Sequence, residues 1–162
     1  MSRTNSVRYF NHIGNLEFLS LYKRGFLCSR KVPAEIILKC YDWAIEQREK
    51  GVCVISGYHS KIEKDVFHYL AKGKQPIIEV LTRGMKNRFN PVEIDLLSKN
   101  QLLIISPFTE NIKRVTRETT YIRNKYIIEN ADDIFTGYID PGGQLQEIIN
   151  EVKGIDSDYF KE

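Results

Sequence analysis

The sequence predicts an α/β domain: a doubly wound, mainly parallel sheet of about five strands with helices on both faces. Three observations carry this. Short apolar runs rich in Val, Ile and Leu alternate with amphipathic stretches of helical length. No hairpin turn joins one run to the next, so crossovers must link the strands. The stretch from Gly51 to Glu63 holds the first half of such a unit. Val52 to Ile55 is a buried-strand run, Ser56-Gly57 breaks it, and Ser60 with Glu63 has the spacing of a capping box.

The elements follow in order. Residues 1–23 form a supporting arm, in which Arg8 to Asn15 reads as extended with a turn and Leu16 to Leu19 as one helical turn. Gly25 to Cys28 is the first strand. Pro33 then suits a first helical position, Ile36, Ile37, Cys40, Trp43 and Ala44 keep helical periodicity, and Lys50-Gly51 ends it. The strand at 52–56 leads to a helix with Ile62, Val66, Tyr69 and Leu70 as its stripe, stopped by Gly73. Pro76 to Leu81 is the third strand. It leaves through Thr82-Arg83-Gly84 into a polar loop and a short helix around Val92–Leu97. Leu102 to Ser106 is the fourth strand.

A helix from about Val115 to Asn130 comes next. Val115, Thr119, Ile122 and Tyr126 share one side of it, and Arg114, Arg117, Tyr121 and Lys125 a neighbouring side. Asp133 to Tyr138 is the fifth strand. Asp140-Pro141-Gly142-Gly143 then turns into a last helix that buries Leu145, Ile148, Ile149 and Val152, and the tail 156–162 is expected to fray. With right-handed crossovers these elements make a single Rossmann-like domain over 1–162.

A chain of 162 residues with 42% hydrophobic and 28% charged residues can bury a real core. No apolar run approaches the roughly 20 residues that span a bilayer, so no membrane association is expected. No apolar segment follows the first residues, which argues against a secretory signal and for a cytoplasmic protein. Cys28, Cys40 and Cys53 form no C-x-x-C pair and read as buried free thiols. A net charge of +3 is too small to imply a partner; only its distribution can.

In such folds ligands bind at the carboxyl ends of the strands. The exit loops hold Ser29 and Arg30, Ser56 and Gly57, Arg83, Ser106, and Pro141, Gly142 and Gly143. Small hydroxyl residues, glycines and arginines suit a phosphate, although tight βα turns alone explain Ser and Gly in any one loop. His59 and Ser60 lie at the helix start beside Gly57, within reach of the same ligand. Lys113, Arg114, Arg117, Arg123 and Lys125 stand against one acid, Glu118, in a sharper signal. Cations at a helix start are disfavoured by the macrodipole, and a bound anion would offset that cost. Tyr121 adds a flat surface on which a base could stack. A solvated basic face is the competing explanation.

Neither G-x-G-x-x-G nor G-x-x-x-x-G-K-[ST] occurs, so no dinucleotide cofactor and no P-loop is expected. His12 and His68 have no partner at metal spacing, so no metal site is expected. No nucleophile elbow is present, and no catalytic residue is assigned.

Cys28-Ser29-Arg30 resembles the G-S-R loop of the DprA/Smf DNA-processing proteins. Ser56-Gly57 through Ile62-Glu63 is similar to their S-G-x-x-x-G-I-D segment, and Arg123-Asn124-Lys125-Tyr126-Ile127 to their R-N-R-x-I run. Order and spacing agree over roughly residues 24 to 150. The resemblance implies a Rossmann-like domain that grips phosphates of single-stranded DNA or of a nucleotide, with Arg123 and Asn124 as ligand contacts. The helical wheel instead sets Arg123 opposite the basic stripe, toward a carboxylate within the protein. The resemblance also brings in a homodimer and a recombination partner protein, because DprA-type proteins work as dimers and hand single-stranded DNA to a recombinase.

The departures are specific. Cys28 and Lys61 replace family glycines, and the chain is expected to end near its last helix without the closing strand and flanking domains of full-length DprA-type proteins. The related Lonely Guy (LOG) phosphoribohydrolases share Pro141-Gly142-Gly143. Leu145, Gln146 and Ile149 then stand where their Gly, Thr and catalytic Glu belong. The expectation is therefore a nucleotide- or single-stranded-DNA-binding module rather than an enzyme. A nucleotide N-glycosidase using Glu147, Glu63 or Asp140, and a nucleotide-signal sensor domain, are the alternatives.

Overall fold

The computed structural model describes residues 9–151 and 160–161. Their strands are β1 (Asn11–Gly14), β2 (Lys23–Leu27), β3 (Cys53–Ser56), β4 (Ile77–Val80), β5 (Leu102–Ser106), β6 (Asp133–Thr136) and β7 (Phe160–Lys161). The helices are α1 (Ala34–Lys50), α2 (Lys61–Leu70), α3 (Pro91–Ser98), α4 (Arg117–Asn130) and α5 (Gln144–Glu151), with a 3-10 turn over Leu16–Ser20. The sheet runs β1-β5-β4-β3-β2-β6-β7. All five expected strands, β2 to β6, are present and parallel to one another.

Two strands go beyond the expectation. Asn11–Gly14 pairs antiparallel with Leu103–Ser106 at one edge. Its residues, Asn-His-Ile-Gly, carry no apolar alternation, so only the partner strand makes it a strand. At the other edge Phe160–Lys161 lies parallel to Ile134–Phe135, within the segment expected to fray and in a chain expected to lack a closing strand. Residues 1–8, Val152 and the rest of the tail lie outside the described residues.

The central strands alternate between two cores. Leu27, Ile55, Ile78, Val80, Leu103 and Ile105 face one layer, closed by Tyr126, Ile127 and Ile128 of α4 and Leu145 and Ile148 of α5. Phe26, Val54, Ile77, Leu102 and Ile104 face the other, closed by Cys40, Trp43 and Ala44 of α1, Ile62, Val66 and Leu70 of α2, and Leu96 of α3. Both faces are covered, which is why the strands read as continuous apolar runs. The Ser60–Glu63 capping box forms as expected, and Gly51 ends α1 in the left-handed region at φ 71°.

α4 differs from its helical-wheel reading. Val115 precedes the helix, and it and Ile122 are each 39% exposed. The buried residues are Thr119, Arg123, Asn124, Tyr126, Ile127, Ile128 and Asn130. The helix turns a polar, arginine-bearing strip inward because a carboxylate waits there. No helix among the described residues is long and apolar enough to cross a membrane.

Candidate functional site

The chain runs from β2 through β5 in one direction, then crosses back so that β6 lies on the other side of β2. This is the switch point, where exit loops part and leave a crevice. A cleft of about 690 Å³ opens there, bordered by Cys28 to Lys31 after β2, His59 and Ser60 after β3, and Asp140 and Gly143 after β6. Ser29 ties two of the loops together. Its backbone N–H donates to the Tyr138 carbonyl at 2.8 Å, and its hydroxyl accepts the Asp140 N–H at 2.8 Å.

Three helix starts border this cleft: Ser60 at α2, Thr116 at α4, and Gly143-Gln144 at α5. Each presents the positive end of a helix dipole, and α4 is capped by Thr116, whose hydroxyl accepts the Thr119 N–H at 3.1 Å. Arg30, Lys31 and Arg117 add exposed cations around the mouth.

The floor is Arg123, only 4% exposed. Its Nη2 lies 3.8 Å from the Glu63 carboxylate, and its Nε donates to Asn124 Oδ1 at 2.9 Å. Glu63 divides its oxygens. Oε1 accepts the N–H groups of His59 and Ser60 at 2.9 and 3.0 Å, closing the capping box, while Oε2 holds the guanidinium. Nη1 of Arg123 is buried without a hydrogen-bond partner. This atom packs against Gly57, behind the floor, so its N–H is enclosed and does not open onto the cleft.

Gly57 explains how the arginine fits. A Cβ built there would lie 1.4 Å from Nη1, so the guanidinium occupies the space that any other side chain would need. Tyr58 follows at φ 51°, an uncommon conformation for an aromatic residue. Its ring is buried against Phe67 at 4.9 Å and its hydroxyl donates to the Val54 carbonyl at 3.0 Å, which holds the turn. Burial, and then the charge of Arg123, lower the His59 pKa below the usual imidazole range.

No family model and no curated protein matches this sequence. Solved structures do. DNA processing protein A from Helicobacter pylori, a structure described for its single-stranded DNA binding mode, superposes with a TM-score of 0.69 at 13% identity. The match covers 86% of this chain and 64% of that one. DNA processing protein A from Streptococcus pneumoniae gives 0.67 at 16% identity, over 86% and 51%. The fold is that of DNA processing protein A. A molybdenum cofactor binding protein from Rippkaea orientalis gives 0.53 at 12% identity over 78% of this chain and 68% of that one. The chain spans about half to two-thirds of the DNA processing proteins it matches, and at these identities the likeness is one of fold. It lends no support to a homodimer or to a recombination partner protein.

Of the residues singled out from the sequence, Ser29, Arg30, His59, Ser60, Arg117, Arg123, Asn124 and Gly143 line the switch-point cleft. Gly57 abuts its floor from behind. The others lie elsewhere. Ser56 is fully buried and its hydroxyl donates to the Phe26 carbonyl at 2.9 Å. Ser106 is likewise buried, donating to the Arg83 carbonyl at 2.7 Å, and Arg83 itself borders a second cleft. Pro141 and Gly142 are exposed in the turn before α5 and do not line the cleft.

The basic stripe is divided. Arg114 and Lys125 are exposed and outside the cleft. Arg117 reaches Glu147 at 3.5 Å, and the Tyr121 hydroxyl donates to Glu151. α5 therefore lays two acids over a face that reads as open from α4 alone. Glu63, Asp140, Thr116, Thr120 and Gln144 line the cleft without having been assigned as ligand contacts. The T-x-x-T spacing of Thr116 and Thr119 marks the true start of α4 and was the available signal. Among the described residues no cluster of three or more His, Cys, Asp or Glu could hold a metal ion.

Proposed function

We propose that this domain binds nucleic-acid phosphates in the switch-point cleft, as a single-stranded-DNA- or nucleotide-binding module. One observation carries the reading: three helix starts and the exposed cations Arg30, Lys31 and Arg117 ring a cleft floored by the guanidinium of Arg123. The helix dipoles and these cations favour the charge of a phosphate. The Helicobacter pylori protein of the same fold is described as binding single-stranded DNA, which supports the same ligand class here.

The glycosidase alternative has less to stand on. Glu147 is exposed and paired with Arg117, and Glu63 is committed to the capping box and to Arg123. Incubation with nucleoside 5′-monophosphates is expected to release no free base.

Salt titration of a fluorescent oligonucleotide tests the proposal. For single strands log affinity falls with log salt by roughly 0.7 per phosphate contacted, so two or three contacts give a slope near −1.4 to −2. Arg30→Ala, at an exposed position, is expected to lower affinity and flatten the slope by about 0.7. Absence of binding at low salt to both the oligonucleotide and nucleoside monophosphates would sink the proposal. Binding of monophosphates alone would assign the cleft to a small nucleotide signal.

A further inference from the structure

A second cleft, of about 580 Å³, lies on the other side of the Gly57-Tyr58-His59 turn, between α2 and the loop leading into α3. Its volume falls in the roughly 300–1,000 Å³ range of small-molecule sites. Phe67, Leu81, Pro91 and Val92 supply apolar surface, and His59 borders this cleft and the switch-point cleft alike. Glu79 and Glu93 also line it, joined by Lys86.

Glu79 is the unusual member. It sits at the carboxyl end of β4, is 7% exposed, and its Oε1 is buried with no hydrogen-bond partner. Glu93 has its partners: Oε2 accepts from Lys86 at 2.6 Å and Oε1 from the Asn90 N–H at 3.0 Å. Lys86 stands 4.0 Å from Glu79, too far for a hydrogen bond. Burial and then the neighbouring Glu93 raise the Glu79 carboxyl pKa well above its usual range. Oε1 of Glu79 is thus a buried acceptor lacking a donor.

We propose that this second cleft holds the heterocyclic base of the nucleotide unit whose phosphate occupies the switch-point cleft, with Glu79 accepting an N–H from the base edge. A base is flat, apolar on its faces and rich in N–H donors at its rim. Those properties match an aromatic and aliphatic wall with one orphan acceptor. Adjacency through His59 matches the short distance from a nucleotide's phosphate to its base. Lys64 and Arg83 add cations to the polar lining of this cleft. The inference rests on the phosphate reading of the first cleft.

The test compares the four deoxynucleoside 5′-monophosphates with deoxyribose 5-phosphate, which has no base, by calorimetry. At least one nucleotide is expected to bind roughly tenfold tighter or more than the sugar phosphate, the gain of one stacked base. Val92→Trp fills the rim from an exposed helix position and leaves the carboxyl pair untouched. It is expected to remove that gain while affinity for deoxyribose 5-phosphate stays unchanged. Glu79→Gln keeps an acceptor and is expected to retain the gain, whereas Glu79→Leu loses it.

Equal affinity for sugar phosphate and all four nucleotides would overturn the base site while leaving the phosphate site standing. Insensitivity to Val92→Trp would do the same. Failure of every phosphate compound to bind overturns both readings.

Discussion

Arg123 at the floor of the switch-point cleft and Glu79 at the floor of the second are both buried, and each keeps one polar atom unpaired. They solve the burial of an ionisable group in different ways. Arg123 cannot lose its proton, so the fold supplies a counter-charge in Glu63 and clears space by leaving Gly57 without a side chain. Glu79 can be neutralised, so its environment needs only a proton, and the positive charge of Lys86 goes to Glu93. One cleft is organised around a fixed cation and the other around a carboxyl whose pKa burial raises. Only a thin turn, residues 57–59, separates them.

Breaking the counter-charge should have the largest effect. Glu63→Ala leaves the guanidinium buried without its carboxylate and opens the α2 cap. A loss of about 3–5 kcal/mol is expected, read as a shift in the urea midpoint. A loss below about 1 kcal/mol would mean the pair behaves like an exposed one and that Arg123 is not held as described. Gly57→Ala comes next. The new methyl must displace Nη1, so a cost of about 1–3 kcal/mol is expected, together with weaker oligonucleotide binding. Unchanged binding would show that the position of Arg123 is irrelevant to the ligand.

The second cleft is probed by pH. Glu79 has a folded pKa above the ~4.3 of an unfolded glutamate. The folded state thus binds more protons than the unfolded state above that value, and stability falls as pH rises from about 4.3 toward the folded pKa. Glu79→Gln should remove that part of the slope and leave the variant more stable than the parent at the alkaline end. Unfolding curves between pH 4 and 9 would check it, and a slope identical in both proteins would place the proton elsewhere. The smallest effect is expected at Arg117. Its pair with Glu147 is exposed, so Arg117→Ala should change stability by about 0–1 kcal/mol, while flattening the salt dependence of oligonucleotide binding. An unchanged salt slope would restrict the phosphate contacts to Arg30, Lys31 and Arg123.

Much of this was legible from local pattern. The five parallel strands, the Ser60–Glu63 cap and the convergence of Ser29, Arg30 and Ser60 on one sheet edge all follow from short-range rules. Apolar run length, capping spacing and the direction of crossovers act within a few residues, or through a single handedness rule. The sequence by itself therefore determined the layered α/β fold and the sheet edge at which a site could form. It could not tell Ser29, which bridges two exit loops, from Ser56 and Ser106, whose hydroxyls are spent on carbonyls 30 and 23 residues away.

Tertiary structure alone decided what each polar group is for. Arg123 could be set toward an internal carboxylate by the helical wheel, but only the fold names Glu63, sixty residues earlier, as that carboxylate. Tyr121 reads as a free stacking face until α5 brings Glu151 to its hydroxyl. Glu79 gives no signal within its strand, because its raised pKa depends on burial and on Glu93 from α3. The physical reason is common to all three. Charge and hydrogen-bonding energies in a buried site depend on the partner within about 4 Å, and that partner is fixed by packing across the sheet rather than by neighbours along the chain.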